Sequence, residues 1–246
     1  KVYVLEANPR ASRTVPLVSK VCNIRMVPLA TDIITSELTG RPSPVPELKE
    51  QKIPYYGVKE AVFPFNMFPE VDPVLGPEMR STGEVLGLSE SYGEAFFKAQ
   101  EAASLKLPLE GTVLISVNKK DKPEVVDVAK RFHEDGFKII ATGKTCDLLN
   151  ESGIPAEKVK KLYEGRPNIL DMITNGKIDL VVNSPAGKES VHDDSYLRKA
   201  AIKAKIPYMT TIAAAKATAE GIGYVKAHME ENNVVKSLQQ MHSEIQ

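Results

Sequence analysis

The sequence lacks three features that would each point to a class of protein. Its 32 basic and 32 acidic residues balance, so no overall field attracts nucleic acid or an acidic membrane, and any anion binding must be local. Its two cysteines have the spacing of neither a metal site nor a disulfide framework, which fits a reducing cytoplasm. No apolar run approaches the roughly 18 to 20 residues of a membrane span, and no signal peptide is recognisable. We therefore predict a cytoplasmic protein that binds neither nucleic acid nor membrane.

The length of the chain allows two domains. At 246 residues it can form one large or two modest domains, each with its own core, and we expect two. The run 107–111 has the composition of a boundary, which divides the chain into residues 1–109 and 110–246. The chain begins at Lys1, without methionine and directly in a strand-like run, so we expect it to be a fragment of a longer polypeptide.

Residues 110–246 alternate regularly between strand and helix patterns. The predicted strands cover 112–117, 137–142, 159–162, 178–183 and 208–210, with helices between them. Short connections between such elements require a doubly wound parallel sheet, covered by helices on both faces. Ligands of these α/β sheets bind beyond the carboxyl ends of the strands. Several polar residues are predicted at that edge: Ser116, Thr142, Asn183 and Thr210.

The first 109 residues are less regular. Residues 14–60 contain helical fragments, a proline-rich stretch and an apolar turn at 53–60. Residues 61–86 carry so many prolines that neither a regular helix nor a central strand fits them, and they are predicted to be irregular backbone. A helix is predicted over 89–105. This part therefore has a mixed α+β character.

A glycine turn in the second half is a candidate anion site. The apolar run 137–142 is a predicted strand, and it passes through Gly143 into a predicted helix. Glycine permits close approach, and the N–H groups at a helix N-terminus attract anions. Lys144 adds a positive charge, while Thr142 and Thr145 add hydroxyl donors. The turn is not a Walker A loop, because that motif requires a glycine where Lys138 stands. The two remaining interpretations are a phosphate-sized anion site and an ordinary strand-to-helix turn.

A second cluster follows the first predicted strand. Glu6 and Asn8 are two residues apart, so on an extended segment both side chains project from one face. A carboxylate and an amide oxygen are the hard ligands that Mg²⁺ binds, usually together with nucleotide phosphates. Arg10 and Arg13 could bind a carboxylate or phosphoryl group through planar, bidentate donors. A mixed-charge turn without a ligand is the alternative.

Three runs of the sequence together resemble the large chain of carbamoyl-phosphate synthase, at its carboxyl-terminal end. Residues 6–16 resemble the metal-binding end of its second ATP-grasp unit, and residues 65–85 resemble the run that follows that unit. Residues 111–222 resemble its regulatory domain, which has the methylglyoxal synthase fold. The resemblance implies an α+β remnant of an ATP-grasp domain followed by a methylglyoxal synthase-like α/β domain.

The implied activity is that of an ATP-dependent ligase. It makes carbamoyl phosphate from glutamine-derived ammonia, bicarbonate and two ATP, for arginine or pyrimidine biosynthesis. The resemblance implies that Glu6 and Asn8 bind Mg²⁺ or Mn²⁺ with ATP, and that the catalytic Arg10 and Arg13 face carbamate. The implied partners are a glutamine amidotransferase small chain and further copies of the large chain. Most of the ATP pocket would precede Lys1, so we expect this fragment alone to be inactive.

The implied regulatory site binds a nucleotide effector such as UMP or IMP. Pro185 departs from the family pattern, because it stands where nucleotide-binding relatives carry a hydroxyl; Ser184 could substitute. Some members also bind ornithine, and Glu60, Tyr208 and Thr210 match that site. The nucleotide-binding positions implied by the resemblance are Ser116, Lys122, Thr142, Gly143, Lys144, Thr145, Lys161, Asn183 and Ser184.

Two other functions compete with this interpretation. One is a stand-alone regulatory module that binds a small molecule without catalysis. The other is a methylglyoxal synthase-like lyase, which resembles this chain in fold. That enzyme uses an aspartate as base just after a glycine turn, whereas this chain has Arg166 at the corresponding place. An arginine cannot accept a proton near neutral pH, so lyase chemistry is disfavoured.

Overall fold

The computed structural model describes residues 3–4, 12–42, 50–63, 83–184, 191–229 and 236–245, with the side chains of 191–194 left aside. The chain forms two compact units. One comprises residues 1–57 together with 233–246, and the other comprises residues 58–232. Within the described ranges, no helix combines the length and apolar character that crossing a bilayer requires.

Helices and strands have the following bounds. The helices are α1 (Thr14–Cys22), α2 (Met26–Thr39), α3 (Tyr92–Ala102), α4 (Lys122–Glu134), α5 (Gly143–Glu151), α6 (Ile169–Thr174), α7 (Val191–Lys203), α8 (Ile212–Ala227) and α9 (Leu238–Ser243). The strands are β1 (Tyr56–Val62), β2 (Gly83–Ser89), β3 (Thr112–Ser116), β4 (Lys138–Thr142), β5 (Ala156–Val159), β6 (Leu180–Asn183) and β7 (Tyr208–Met209).

A five-stranded sheet forms the centre of the larger unit. Its order is β5-β4-β3-β6-β7, and every pairing in it is parallel. The middle strand, β3, pairs Leu114 with Ile140 of β4 on one side and with Val181 of β6 on the other. Parallel strands connected through helices bury both faces, which explains why these strands are continuously apolar.

Two hydrophobic clusters cover the two faces of this sheet. On one face, Leu114, Ile140 and Val181 pack with residues of α6 and α7, among them Ile173 and Leu197. On the other face, alternate residues of the same strands pack with α4, α5 and α8. The doubly wound α/β fold predicted from the sequence is therefore confirmed.

Helices α3 and α8 approach each other closely through two glycines. A Cβ atom added at Gly221 would lie 2.5 Å from the carbonyl oxygen of Gly93, and one added at Gly93 would lie 2.8 Å from the backbone carbon of Glu220. No side chain can be accommodated at such distances without movement of the backbone. The two glycines thus set the separation between these helices.

The structure corrects several predicted elements. The strand predicted over 159–162 is β5, which ends at Val159 and is followed by a 3-10 turn over Leu162–Glu164. This turn is closed by the carboxylate of Glu164, which accepts a hydrogen bond of 2.8 Å from the backbone N–H of Lys161.

Two strands were not predicted. The apolar turn predicted at 53–60 is largely strand β1, and β2 begins within the stretch predicted to be irregular. β1 and β2 form a separate two-stranded sheet. Gly87 lies where β2 packs on α3, since an added Cβ would lie 2.1 Å from the carbonyl oxygen of Ala95. The remainder of the proline-rich run, 64–82, is outside the described residues.

Candidate functional site

A row of polar side chains follows the carboxyl edge of the sheet. Ser116 pairs with Asn183 in register, and Thr142 ends the strand on the other side of β3. These residues lie two positions beyond Leu114, Val181 and Ile140, so they face the same side of the sheet as those apolar residues. The structure thus brings three predicted site residues from three strands together. We call Thr142, Ser116, Asn183 and Tyr208 the polar row.

Direct hydrogen bonds join the members of the polar row in pairs. Thr142 Oγ1 donates to Ser116 Oγ at 3.0 Å. On the other side, Asn183 Nδ2 donates to the hydroxyl oxygen of Tyr208 at 2.5 Å. Thr142 and Asn183 are almost completely buried, with 3% and 1% of their surfaces exposed. Buried polar groups held in this way are fixed in orientation, as a binding site requires.

The glycine turn places the N-terminus of α5 beside this row. α5 begins at Gly143, whose φ of +31° lies in the region that glycine adopts most easily. Thr142 makes no side-chain cap, and the first turn of the helix contains no acidic residue. The N–H groups at this end, with the helix dipole, therefore favour an anion. Thr145 is buried in the first turn of α5.

Two lysines lie near the turn. Lys122, the first residue of α4, donates from Nζ to the backbone carbonyl of Lys144 at 3.0 Å. The Lys144 side chain is exposed. A cavity of about 390 Å³ lies beside the turn, and its lining consists of Lys122, Pro123, Val126, Lys144, Asp147, Leu148 and Glu151. The cavity is thus lined by both lysines and by the two carboxylates of α5.

Asn118 organises the loop between β3 and α4, and it was missed in the sequence. Its amide oxygen accepts hydrogen bonds from the N–H groups of Lys120 (2.7 Å) and Asp121 (3.2 Å). Its backbone N–H and its Nδ2 both donate to Ser184 Oγ, each at 3.1 Å. The signal that could have identified it is an asparagine followed by lysines and an aspartate, which is typical of an Asx turn.

Ser184 is held at the carboxyl end of β6. Besides the contacts from Asn118, its backbone N–H donates to the carbonyl of Ser116 at 3.2 Å. Its hydroxyl accepts two hydrogen bonds and retains its own hydrogen for donation. Pro185, the predicted departure from the family pattern, lies outside the described residues. Ser184 stays the predicted substitute for the hydroxyl that Pro185 lacks.

Lys161 lies beyond β5, at the opposite end of the sheet from Tyr208. It directly precedes the 3-10 turn and does not lie in a strand, and its Nζ lies 5.8 Å from the centre of the Tyr163 ring. Since Val159 pairs with Thr142, Lys161 follows the strand adjacent to the glycine turn. Its predicted role in nucleotide binding stays a prediction.

The three residues predicted for ornithine lie on different elements. Glu60 is on β1, where its carboxylate accepts a hydrogen bond of 2.8 Å from Gln100 Nε2. Burial raises the pKa of the Glu60 carboxyl above its ordinary value of 4.5. Tyr208 belongs to the polar row, and exposed Thr210 follows β7. Glu60 and Tyr208 therefore belong to two different sheets.

Arg166 and Asp171 form an exposed ion pair near α6. Arg166 Nε donates to Asp171 Oδ1 at 2.9 Å and to Oδ2 at 3.1 Å. The hydrogen bond from Arg166 lowers the pKa of the Asp171 carboxyl, which also caps α6 by accepting from the N–H of Asn168 at 2.9 Å. A carboxylate held ionised in this way is a poor proton acceptor.

The predicted metal and carbamate cluster is only partly described. Glu6, Asn8 and Arg10 lie outside the described residues, whereas Arg13 directly precedes α1. Over the described ranges, no group of three or more histidine, cysteine, aspartate or glutamate side chains could hold a metal ion. The roles of these four residues stay predictions.

Comparison with known proteins shows which proteins the chain is similar to. Residues 124–210 match the family described as MGS-like domain. The large chain of carbamoyl phosphate synthase from Archaeoglobus fulgidus is 48% identical over 99% of this chain and 22% of its own length. In sequence, this chain is a relative of carbamoyl phosphate synthase large chains. This confirms the predicted resemblance to carbamoyl phosphate synthase large chains and the predicted methylglyoxal synthase-like fold.

Shorter carbamoyl phosphate synthase relatives match equally well. The carbamoyl phosphate synthase large chain, C-terminal section, of Methanopyrus kandleri is 49% identical over 98% of this chain and 45% of its own length. The corresponding C-terminal section of Aquifex aeolicus is 44% identical over 99% of this chain and 48% of its own length. The chain therefore spans less than half the length of these curated relatives.

Proposed function

We propose that the chain is the carboxyl-terminal part of a glutamine-dependent carbamoyl phosphate synthase, and that its MGS-like domain binds a nucleotide effector such as UMP or IMP. The observation that carries the effector proposal is the uncapped N-terminus of α5 beside the buried polar row. The family relationship to carbamoyl phosphate synthase large chains supports the parent activity.

The phosphate of the effector is bound at the glycine turn. The N–H groups of Gly143, Lys144 and Thr145 form the first turn of α5, and they favour a dianion through hydrogen bonds and the helix dipole. Lys144 and Lys122 supply positive charge next to this turn. The hydroxyl groups of the site supply further donors in an environment where water is largely excluded, which strengthens each hydrogen bond.

The ribose and base lie along the polar row. Asn183 ends β6 next to Ser116 on β3, and Ser184 follows it, so both face a ligand that extends from the turn along the carboxyl edge. Lys161 follows β5 on the other side of the turn and adds a cation there. Ornithine, the second proposed effector, uses Glu60, Tyr208 and Thr210.

The first part of the chain contributes to phosphoryl transfer in the intact enzyme. Glu6 and Asn8 would hold Mg²⁺ or Mn²⁺ with ATP, where the metal neutralises phosphate charge. Arg10 and Arg13 orient carbamate by bidentate hydrogen bonds. This activity requires the remainder of the large chain, a glutamine amidotransferase small chain and self-association of large chains. We expect it to serve arginine or pyrimidine biosynthesis in the cytoplasm.

The two alternatives are less well supported. A regulatory module without catalytic duty would bind the same nucleotide, but nothing in it would require the similarity that extends through residues 1–109. A lyase would require a proton acceptor near Arg166. The neighbouring carboxylate, Asp171, is instead occupied by its ion pair and by the cap of α6.

Calorimetric titration with UMP and IMP tests the effector proposal. We expect the 246-residue chain to bind at least one of the two nucleotides, and Lys144→Ala to weaken that binding by about tenfold or more, because it removes a charge-assisted contact to phosphate. Lys130→Ala is the matched control, since Lys130 is an exposed α4 lysine paired only loosely with Glu134, at 3.8 Å. Failure of the unaltered chain to bind either nucleotide would contradict the proposal. Equal binding by the Lys144 variant would show that the nucleotide does not bind at the glycine turn.

A further inference from the structure

Arg198 of α7 is a cation that belongs to none of the motifs described above. Its Nε is buried and has no hydrogen-bond partner, the one such side-chain atom within the described part of the chain. The residue as a whole is half-buried. Buried polar groups are almost always paired, so an unpaired donor in a native fold calls for an explanation, and an acceptor on a ligand is one. A guanidinium has only donors, so that partner must be an acceptor.

The position of Arg198 is fixed by the polar row. Its Cζ lies 5.7 Å from the centre of the Tyr208 ring, within the range of a cation–π contact. The Tyr208 hydroxyl in turn accepts the hydrogen bond from Asn183. A continuous series of contacts therefore connects the buried amide that ends β6 to the guanidinium on α7.

The row separates Arg198 from the glycine turn. Its members lie on the adjacent strands β4, β3, β6 and β7, with the N-terminus of α5 at the β4 end and Arg198 at the β7 end. Three strand spacings of about 4.8 Å give a separation of about 14 Å between these ends. One phosphate cannot contact both, so two different parts of a ligand are required.

We propose that Arg198 is a specificity-determining residue that donates to a carbonyl oxygen of the effector's base, while the phosphate is bound at the glycine turn. This inference rests on the nucleotide-binding function proposed above. Tyr208 lies against the guanidinium, whose carbon is 5.7 Å from the ring centre, and the planar fork of donors can direct hydrogen bonds to one carbonyl oxygen. Bases with a carbonyl oxygen, such as uracil and hypoxanthine, are favoured over adenine, whose exocyclic amino group is a donor.

Titration of the 246-residue chain with UMP and with ribose 5-phosphate tests this assignment, because the second ligand keeps the phosphate and sugar but lacks the base. We expect Arg198→Gln to weaken UMP binding by about tenfold. Its affinity for ribose 5-phosphate should stay within about twofold of that of the unaltered chain. Lys203→Gln is the matched control, because it removes one charge from the exposed last turn of the same helix. That variant should bind both ligands as the unaltered chain does.

The contrary outcomes separate the two proposals. Equal loss of binding to UMP and to ribose 5-phosphate would show that Arg198 acts on the shared sugar or phosphate, and unchanged UMP binding would show that it does not contact UMP; either result overturns the assignment to the base. If the unaltered chain binds no nucleotide, the proposed function fails with it. Circular dichroism checks that Arg198→Gln folds. If Arg198→Gln does not fold, Arg198→Lys replaces it, because lysine keeps the charge but loses the planar pair of donors. This variant should also weaken UMP binding more than ribose 5-phosphate binding.

Discussion

At the scale of single residues, Glu60 shows how burial opposes charge. Its carboxylate is half-buried and is held by Gln100, which is itself only 3% exposed. The raised pKa means that the folded chain binds the proton of Glu60 more tightly than the unfolded chain does. Its contribution to stability is therefore complete below the ordinary pKa of 4.5, and it is lost as the pH rises through the folded value.

This argument predicts that Glu60→Gln stabilises the chain at neutral pH. The amide keeps a hydrogen-bonding group beside Gln100 without a buried charge, so the free energy of unfolding should rise at pH 7 and change little at pH 4. Urea denaturation at both pH values measures the difference. Glu101→Gln, on the exposed side of α3, provides the control and should have little effect at either pH. Lower stability of the Glu60 variant at pH 7 would show that the charge itself is stabilising.

Residues of the candidate site differ in how readily the sequence reveals them. Thr142, Gly143 and Lys144 form one short run, and the pattern of a strand, a glycine and a helix start predicts an anion site from that run alone. Asn118 has only the local signal of an Asx turn and Arg198 has none, because their neighbours in space, Ser184 and Tyr208, are distant from Asn118 and Arg198 in sequence or lie on another element. From the sequence alone, an isolated arginine on a helix has no identifiable partner, and no role can be assigned to it.

At the scale of elements, the contact between α3 and α8 depends on the absence of side chains. We expect Gly221→Ala to lower the free energy of unfolding by about 1 to 3 kcal/mol, because its Cβ would meet a backbone carbonyl that cannot move independently. Gly223→Ala in the same helix is the matched control. Its Cβ would meet only the carboxylate of Asp135, at 3.2 Å, and alanine is the better helix former by about 1 kcal/mol.

Thermal and urea denaturation of the two variants test this comparison. The Gly223 variant should equal or exceed the unaltered chain in stability, and the Gly221 variant should fall below it. If the two variants behave alike, helix propensity rather than close packing determines the effect, and the proposed role of the glycine contact is wrong.

Predicting elements from sequence worked where periodicity was strong. The alternation of apolar strands and amphipathic helices in residues 112–227 follows from the burial of both faces of the sheet, and it was recognised correctly. The misplaced strand at 159–162 illustrates the limit. Val159 ends β5 by pairing with Thr142, and a partner on another strand cannot be read from a short run. Strands β1 and β2 were missed because they flank a run dominated by proline.

At the scale of the whole molecule, the site depends on strand order. In the sheet, β3 lies between β4 and β6, so β3 and β6 are neighbours. In the sequence, β4 and β5 both lie between β3 and β6. That order brings Ser116 next to Asn183, which follows it by 67 positions. The carboxyl-edge rule predicted that these residues share one edge, but only the pairing shows that they share a face.

The length of the relatives leads to a prediction about activity. Since the chain spans 22% of a full large chain, we expect it not to form ATP from ADP and carbamoyl phosphate, the reverse of carbamate phosphorylation. A coupled assay for ATP with Mg²⁺ present measures this, and a longer C-terminal section such as that of Methanopyrus kandleri serves as the comparison. ATP formation by the 246-residue chain would contradict the proposal that carbamate phosphorylation requires the remainder of the large chain.

The smaller unit joins two distant parts of the sequence. His242 Nε2 lies 2.6 Å from the carbonyl oxygen of Lys20, and residues 58–232 separate these two parts in sequence. A ribosome synthesises the first part long before the second. The larger unit can therefore fold as soon as residue 232 has emerged. The contact between Lys20 of α1 and His242 of α9 can form only after α9 has been synthesised. Translation order alone therefore allows the larger unit to be complete before the smaller unit, whose two parts flank it in sequence.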